Sequence, residues 1–196
     1  ATNLAEHPRP AVEVAAALQR ANRDASLAGA VISRIRGFLL AGQIRRAPVD
    51  LARMLDEVLQ MLQLMLTEAG VDPCVRLPDP PPRLIADAVQ LQQVLINLIV
   101  NAVDAMREQS ERARLLQIDV VADPAGGLRF SVRDNGPGVA AGSDARMFEA
   151  FFSTKPDGLG MGLAISRSIV ENHGGRLWLA RDGGPGACFE FTIPDN

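Results

Sequence analysis

Four amide and carboxylate side chains share one stripe of a segment that is otherwise apolar. In "QQVLINLIVNAVDAM", Gln93, Asn97, Asn101 and Asp104 recur at steps of four, four and three, the spacing of one helix face. Leu91, Val94, Leu95, Leu98, Ile99 and Val103 make a wide apolar face beside it. A solvated stripe would recruit Lys, Glu or Arg, yet no charge occurs between Asp87 and Asp104. Carboxamides in that setting suit a partly buried surface that meets a polar ligand. An Asn oxygen can join a magnesium ion whose other ligands are waters and phosphate oxygens. The stripe equally fits the polar side of an ordinary packed helix.

Two further stretches put unusual residues where core or regular structure is expected. In "LRFSVRDNGPG", period two places Leu128, Phe130, Val132 and Asp134 on one face of a strand, so a carboxylate follows three core side chains inward. A buried carboxylate needs donors. The amine and ring edge of a purine would supply one, with Gly136 and Gly138 letting the backbone pass close to the base; Asp-Asn-Gly is also a strong turn former. In "GLGMGLAISRSIVENHGG", Gly158, Gly160 and Gly162 precede a helix that carries Met161, Ala164, Ile165 and Ile169 on its core face. Backbone N–H groups at a helix start attract anions, and glycine lets phosphate oxygens approach the main chain. A flexible loop would give the same alternation of glycines.

The elements that must position these residues follow from periodicity. Ala11, Val14, Leu18, Ala21, Ala25, Ala28, Ile32, Ile35 and Leu39 form a heptad-like seam, the mark of a coiled-coil or bundle helix. The preceding "EHPRP" reads as a break between antiparallel helices, with "ATNLAE" the remnant of an earlier one. A helix of about 30 residues is about 45 Å long, so the chain, which starts at Ala1 without Met, reads as a fragment lacking most of that first helix. Residues 51 to 69 form an amphipathic helix, and short strands flank the proline run "PDPPPR". The next helix runs from Ala88 to about Gln109, opened by Asp87 and Gln90 in a capping-box arrangement. Two alternating strands follow, around 116–120 and 128–132. A loop from Val139 to Asp157 leads to a helix over Met161–His173, and a hairpin turned at Asp182 to Gly186 closes the chain. The fold class is α+β, one mixed sheet covered by helices on one face.

Composition narrows the classes of function. A net charge of -3 and a pI near 5.4, with acids and bases interspersed, argue against a nucleic-acid or polybasic membrane surface. The uncharged run Ala88–Val103 is shorter than the roughly 18 apolar residues of a membrane span. Cys74 and Cys188 are far apart and without metal-like spacing, so they read as ordinary strand thiols of a reducing compartment.

In order and spacing the motifs resemble the catalytic ATP-binding domain of sensor histidine kinases of two-component systems. "NLIVNAVDA" resembles that family's asparagine box, "DNGPG" its first glycine box, "FEAFFSTK" its phenylalanine box and "GLGMGL" its second glycine box, followed by "HGG". The resemblance covers residues 49 to 196, and the seam helix is similar to the second helix of the dimerisation and phosphotransfer domain. It implies a Bergerat-type two-layer α/β sandwich over 49–196, a linker over 43–48 and a truncated helical hairpin over 1–42. ATP and Mg2+ are the implied cofactors. Asn101 would hold magnesium with Asn97 on the phosphate side, Asp134 would bind adenine, and Gly136 and Gly138 would border the base. Thr154 lies in a hydroxyl-rich position beside Lys155, which would reach the terminal phosphates. The segment Gly158, Leu159, Gly160, Met161, Gly162 and Leu163 would wrap the phosphates, and the loop 139–157 would be a mobile lid. A response regulator receiver domain, and a second copy of the chain through residues 11–41, are the implied protein partners. The resemblance also implies a cytoplasmic fragment of a parent that is free to be membrane-anchored.

Departures from the family pattern sharpen these expectations. The phosphoacceptor His-Glu motif is absent: His7 precedes a proline, and His173 sits at a helix end. Ala150 stands where many relatives have proline, which would loosen the lid. Hydrolysing relatives of the same fold carry a glutamate general base where this chain has Asn97, and an amide cannot deprotonate water. An adaptor that has lost nucleotide binding would not need intact glycine boxes.

Overall fold

The computed structural model describes residues 44–107, 113–140, 142, 146–153, 160–181 and 183–195. The chain divides into two compact units, Ala1–Arg36 and Gly37–Asn196, and all described residues belong to the second. The seam over 11–39 lies outside them.

Three helices and five strands make the body of this unit. Helix α1 (Leu51–Glu68) precedes β2 (Val71–Arg76), and α2 (Ala88–Met106) precedes β4 (Arg114–Ala122) and β5 (Leu128–Asp134). Helix α3 (Gly162–Asn172) leads to β6 (Leu177–Ala180) and β7 (Cys188–Ile193). The sheet order is β2-β4-β5-β7-β6, with β2 parallel to β4 and the other neighbours antiparallel. Two short strands, β1 (Ala47–Pro48) and β3 (Ile85–Ala86), pair separately. The segment read as a linker over 43–48 thus ends in a strand that belongs to the domain.

Alternation decides which sheet face is core. Leu116, Ile118 and Val120 of β4 and Leu128, Phe130 and Val132 of β5 are buried. The Phe130 ring stacks on Phe191 of β7 at 4.6 Å, a pairing that the register Phe130↔Phe191 places directly across the strands. On the opposite face one cross-strand row runs Arg76, Asp119, Ser131, Glu190 and Trp178, polar enough to stay in water. The mixed sheet carries its helices on one face, as expected. Cys74 on β2 and Cys188 on β7 form no disulfide.

Helix α2 is the central element of the helical layer, packed against α1, α3, β4 and β5. Its length of 19 residues and mean hydropathy of 1.2 would suffice to cross a membrane, but here Leu91, Val94, Leu95, Leu98, Ile99 and Val103 fill the domain core. The capping box forms only by half. Asp87 Oδ1 accepts the Gln90 N–H at 3.2 Å, whereas the Asp87 N–H donates to His173 Nε2 at 3.1 Å instead of to the Gln90 side chain. The Gln90 Oε1 is buried without a partner. His173, 1 % exposed, therefore must carry its proton on Nδ1, which lies 2.8 Å from the Ile169 carbonyl oxygen. One neutral ring joins the end of α3 to the start of α2. Asp87 Oδ2 also accepts the Arg45 N–H at 3.0 Å, tying in the segment just before β1.

Replacing His173 by alanine strands a backbone donor and a carbonyl as well as opening a cavity. Such losses cost about 2–4 kcal/mol, so His173→Ala should lower the urea midpoint without changing the slope of unfolding; an unchanged midpoint would remove His173 from this role.

Candidate nucleotide-binding site

Asp134 ends the inward row of β5 and is 4 % exposed. Its Oδ1 accepts the Gly136 N–H at 2.7 Å and the Ala187 N–H at 3.2 Å. Both donors reach the same oxygen, so Oδ2 receives none among the described residues. Burial pushes the carboxyl above its usual range, and the two N–H groups and the Arg133 charge offset that only in part. A carboxylate held in this way favours a ligand that brings its own hydrogen-bond donor.

The surroundings of Asp134 are built from two chain segments, and only one was legible in the sequence. A Cβ on Gly136 would fall 2.7 Å from Asp134 Oδ1 and 3.4 Å from the Cβ of Ala105 on α2, so the first glycine box passes beneath the end of that helix. Gly138 lies against Gly186. Gly186, read as part of a hairpin turn, has φ +76°, and a Cβ there would lie 2.0 Å from the Asp134 carbonyl oxygen. Both its conformation and its closeness exclude side chains. The surplus of glycine in "DGGPGA" was the available signal. Asn135 proves structural: its Oδ1 accepts the Leu115 N–H at 2.9 Å and its Nδ2 donates to the Ala113 carbonyl at 2.7 Å.

The polar stripe of α2 divides between two settings. Asn97, 9 % exposed, donates from Nδ2 to Ser166 Oγ of α3 at 3.0 Å, and its Oδ1 is buried without a partner. That oxygen faces the backbone of Gly162, where an added Cβ would sit 2.1 Å away. Asn101, one turn further on, is half-buried, and its carboxamide makes no hydrogen bond among the described residues. Gln93 is half-buried on the same helix.

The second glycine box is described from Gly160 onward. Gly160, at φ +64°, packs its backbone on Phe151 and Phe152. Met161 is the residue before the first turn of α3, and Gly162 opens the helix with Leu163 half-buried after it. The buried face of α3 is Ile165, Ser166, Ile169 and Val170, so Ser166 and Val170 join the expected set while Ala164 is only half-buried. Thr154, Lys155, Gly158 and Leu159 lie outside the described residues. Within the expected lid, Met147, Phe148 and Phe152 pack on the core. Met147 is buried, the Phe148 ring meets Phe189 edge-on at 6.4 Å, and Arg146 lies 4.8 Å from the Phe152 ring. Phe151 is exposed with φ +67°.

Comparison with known proteins converges on one group. The family model described as histidine kinase-, DNA gyrase B-, and HSP90-like ATPase matches residues 86–196. The sensor protein TdiS of Thauera aromatica is 34% identical over 190 residues, 96% of this chain and 35% of that protein. The sensor protein FixL of Bradyrhizobium diazoefficiens is 36% identical over 182 residues, 93% of this chain and 36% of its own length. This chain thus spans about a third of the curated relatives it matches. The crystal structure of full-length ShkA in complex with AMPPNP is similar with a TM-score of 0.73 and 33% identity, over 93% of this chain and 38% of that one. The nucleotide-free catalytic domain of histidine kinase ThkA gives a TM-score of 0.67 and 29% identity over 76% of this chain and 95% of its own. A family match that begins at the short strand before α2 and runs to the last residue, with sensor kinases on both the sequence and the structure side, makes this chain a member of the histidine kinase-, DNA gyrase B- and HSP90-like ATPase family, carrying the ATP-binding catalytic domain of the sensor histidine kinase type.

Proposed function

We propose that the chain binds ATP with magnesium and delivers the γ-phosphoryl group to a histidine outside these residues, from which an aspartate of a response regulator receiver domain takes it. The observation that carries this reading is Asp134, whose Oδ2 is left for the exocyclic amine of adenine while Oδ1 is held by the backbone. Gly136 and Gly138 border the base. Asn101 supplies the neutral oxygen for the metal, and Asn97 stands on the phosphate side with an orphaned buried oxygen. Magnesium ordinarily keeps several waters and takes only one or two protein oxygens beside substrate phosphates, so it needs no ring of carboxylates. Among the described residues no group of three His, Cys, Asp or Glu offers such a ring. Lys155 reaches the terminal phosphates, and Thr154, Gly158, Leu159, Gly160, Met161, Gly162 and Leu163 wrap them.

Phosphoryl transfer asks the protein mainly for positioning and charge neutralisation. A magnesium ion bound with the nucleotide supplies charge neutralisation; the residues here fix where the nucleotide lies. The nucleophile is not His173, because both ring nitrogens are engaged in the core. Asn97 in place of a carboxylate favours transfer over hydrolysis, since water activation needs a base. The working assembly is a cytoplasmic homodimer formed through residues 11–41.

Three outcomes follow. Incubation with γ-labelled ATP and magnesium should leave this chain unlabelled, whereas a version with the upstream helix restored should acquire label that is stable to alkali and lost in acid; free phosphate without labelled protein would point to a hydrolase. Asp134→Asn removes a charge-assisted hydrogen bond of about 1.5–3 kcal/mol, so the Kd for ATP by calorimetry should rise roughly 10- to 100-fold, and unchanged affinity would refute the assignment. The folded-state pKa of Asp134 is raised, so its contribution to ligand-free stability is present below the unfolded value and lost as pH rises through the folded one. Nucleotide affinity should run the other way, falling as pH drops through that raised pKa, because the ionised carboxylate accepts the amine. Denaturation and calorimetry across pH, with Asp134→Asn flattening both profiles, would check the pair.

A further inference from the structure

Two large apolar side chains stand in water at the N-terminal end of α2. Ile85 of β3 is 49 % exposed, and Val89 in the first turn of the helix is 72 % exposed. Pro48, paired with Ile85 across the short ladder, is exposed as well. Cross-strand partners stand on the same side of a ladder, so Pro48 extends the face that Ile85 presents. The composition of this end does not suit solvent. A helix start favours Asp or Glu in its first turn, and α2 has none there. A β-branched valine is also a poor helix former where no packing decides the choice.

The helix cap fixes where the chain enters the domain. Asp87 Oδ2 accepts the Arg45 N–H at 3.0 Å, so the residues before 45 reach the domain beside the cap that Ile85 and Val89 flank. Directly upstream lies "GFLLAGQ", residues 37–43, with no charge and with three large apolar side chains in succession, Phe38, Leu39 and Leu40. The heptad seam uses only Leu39, and three consecutive residues of a helix do not share one face. At 3.3 to 3.6 Å per residue, Leu40 stays within about 18 Å of Arg45 and Phe38 within about 25 Å. So short a tether gives the segment an effective concentration on the order of millimolar at this face, which a separate protein would have to exceed. The division of the chain after Arg36 leaves the segment in the same compact unit as α2.

We propose that the apolar face of Pro48, Ile85 and Val89 is the docking surface for residues 38–40 of the same chain. The entering chain is then gripped twice, by its backbone at Asp87 and by its side chains at this face. Both grips act at the first turn of the helix that carries Asn97 and Asn101 further along. A displacement of the upstream segment therefore reaches the polar stripe through one rigid element.

The effective concentration can be measured by disulfide equilibrium. In the full chain with Cys74→Ser, which leaves only the buried Cys188, Leu40→Cys is combined with Val89→Cys. The control combines it with Ala52→Cys, an exposed position near the start of α1 that a free tether also reaches. Equilibration with glutathione should show an effective concentration about tenfold higher or more for the pair 40 and 89 than for the pair 40 and 52. Ile85→Glu should bring it down to the control value, and so should Phe38→Ser, which leaves the described domain untouched. Equal values for the two pairs, or no effect of Phe38→Ser, would overturn the proposal. Cross-links between chains rather than within one, separated by electrophoresis, would assign the face to a second copy and overturn it as well.

Discussion

A long helix without a charge between Asp87 and Asp104 has to be covered, and most of this domain is arranged to cover it. Helix α2 packs against α1, α3, β4 and β5, which buries most of its apolar face. Covering an apolar helix on several sides also surrounds whatever polar groups it carries, so each amide must be matched by a neighbour or by a ligand. Asn97 is matched on its nitrogen and not on its oxygen. The buried amide oxygen is therefore a by-product of core formation, left where the covering layers supply a partner for only one end of the carboxamide.

The sheet places its own buried polar group by a similar economy. Its inner face is hydrophobic up to Val132 and then presents one carboxylate at the strand end. The backbone holds one oxygen and burial makes the charge costly. A carboxylate so placed favours a partner that brings its own hydrogen-bond donor. The last helix is anchored through His173, whose two ring nitrogens are both engaged in the core, so the described part of the domain has no open histidine. That division of labour suits a domain that carries a phosphoryl donor to an acceptor located elsewhere.

How much of this was legible in the sequence depends on whether a residue's partner is near in the chain. Period two gave the inward row ending in Asp134, period 3.6 gave the three helices, and the motif order gave the family, because each is local. The residues that were missed are those defined by distant contacts. Asp87 and Gln90 looked like a reciprocal cap, but the Asp87 N–H pairs with a histidine 86 positions away. Gly186 looked like turn chemistry until β7 was seen to run beside Asp134. Ser166 and Val170 were not in the expected core face of α3, although both are buried there. The β1 and β3 pair, two residues each, is too short to show any alternation.

The contact between Gly162 and Asn97 also constrains how such a chain can change. Any side chain at 162 would collide with the carboxamide at 97, and a shorter residue at 97 would leave Ser166 without its donor. Each single step is harmful while a combined change need not be, so the order in which substitutions arise matters. A lineage that had lost the amide at 97 would be free to fill position 162, and once filled that position would block the amide's return. Positions 97 and 162 are therefore read together: the room for an amide at one exists because the other has no side chain.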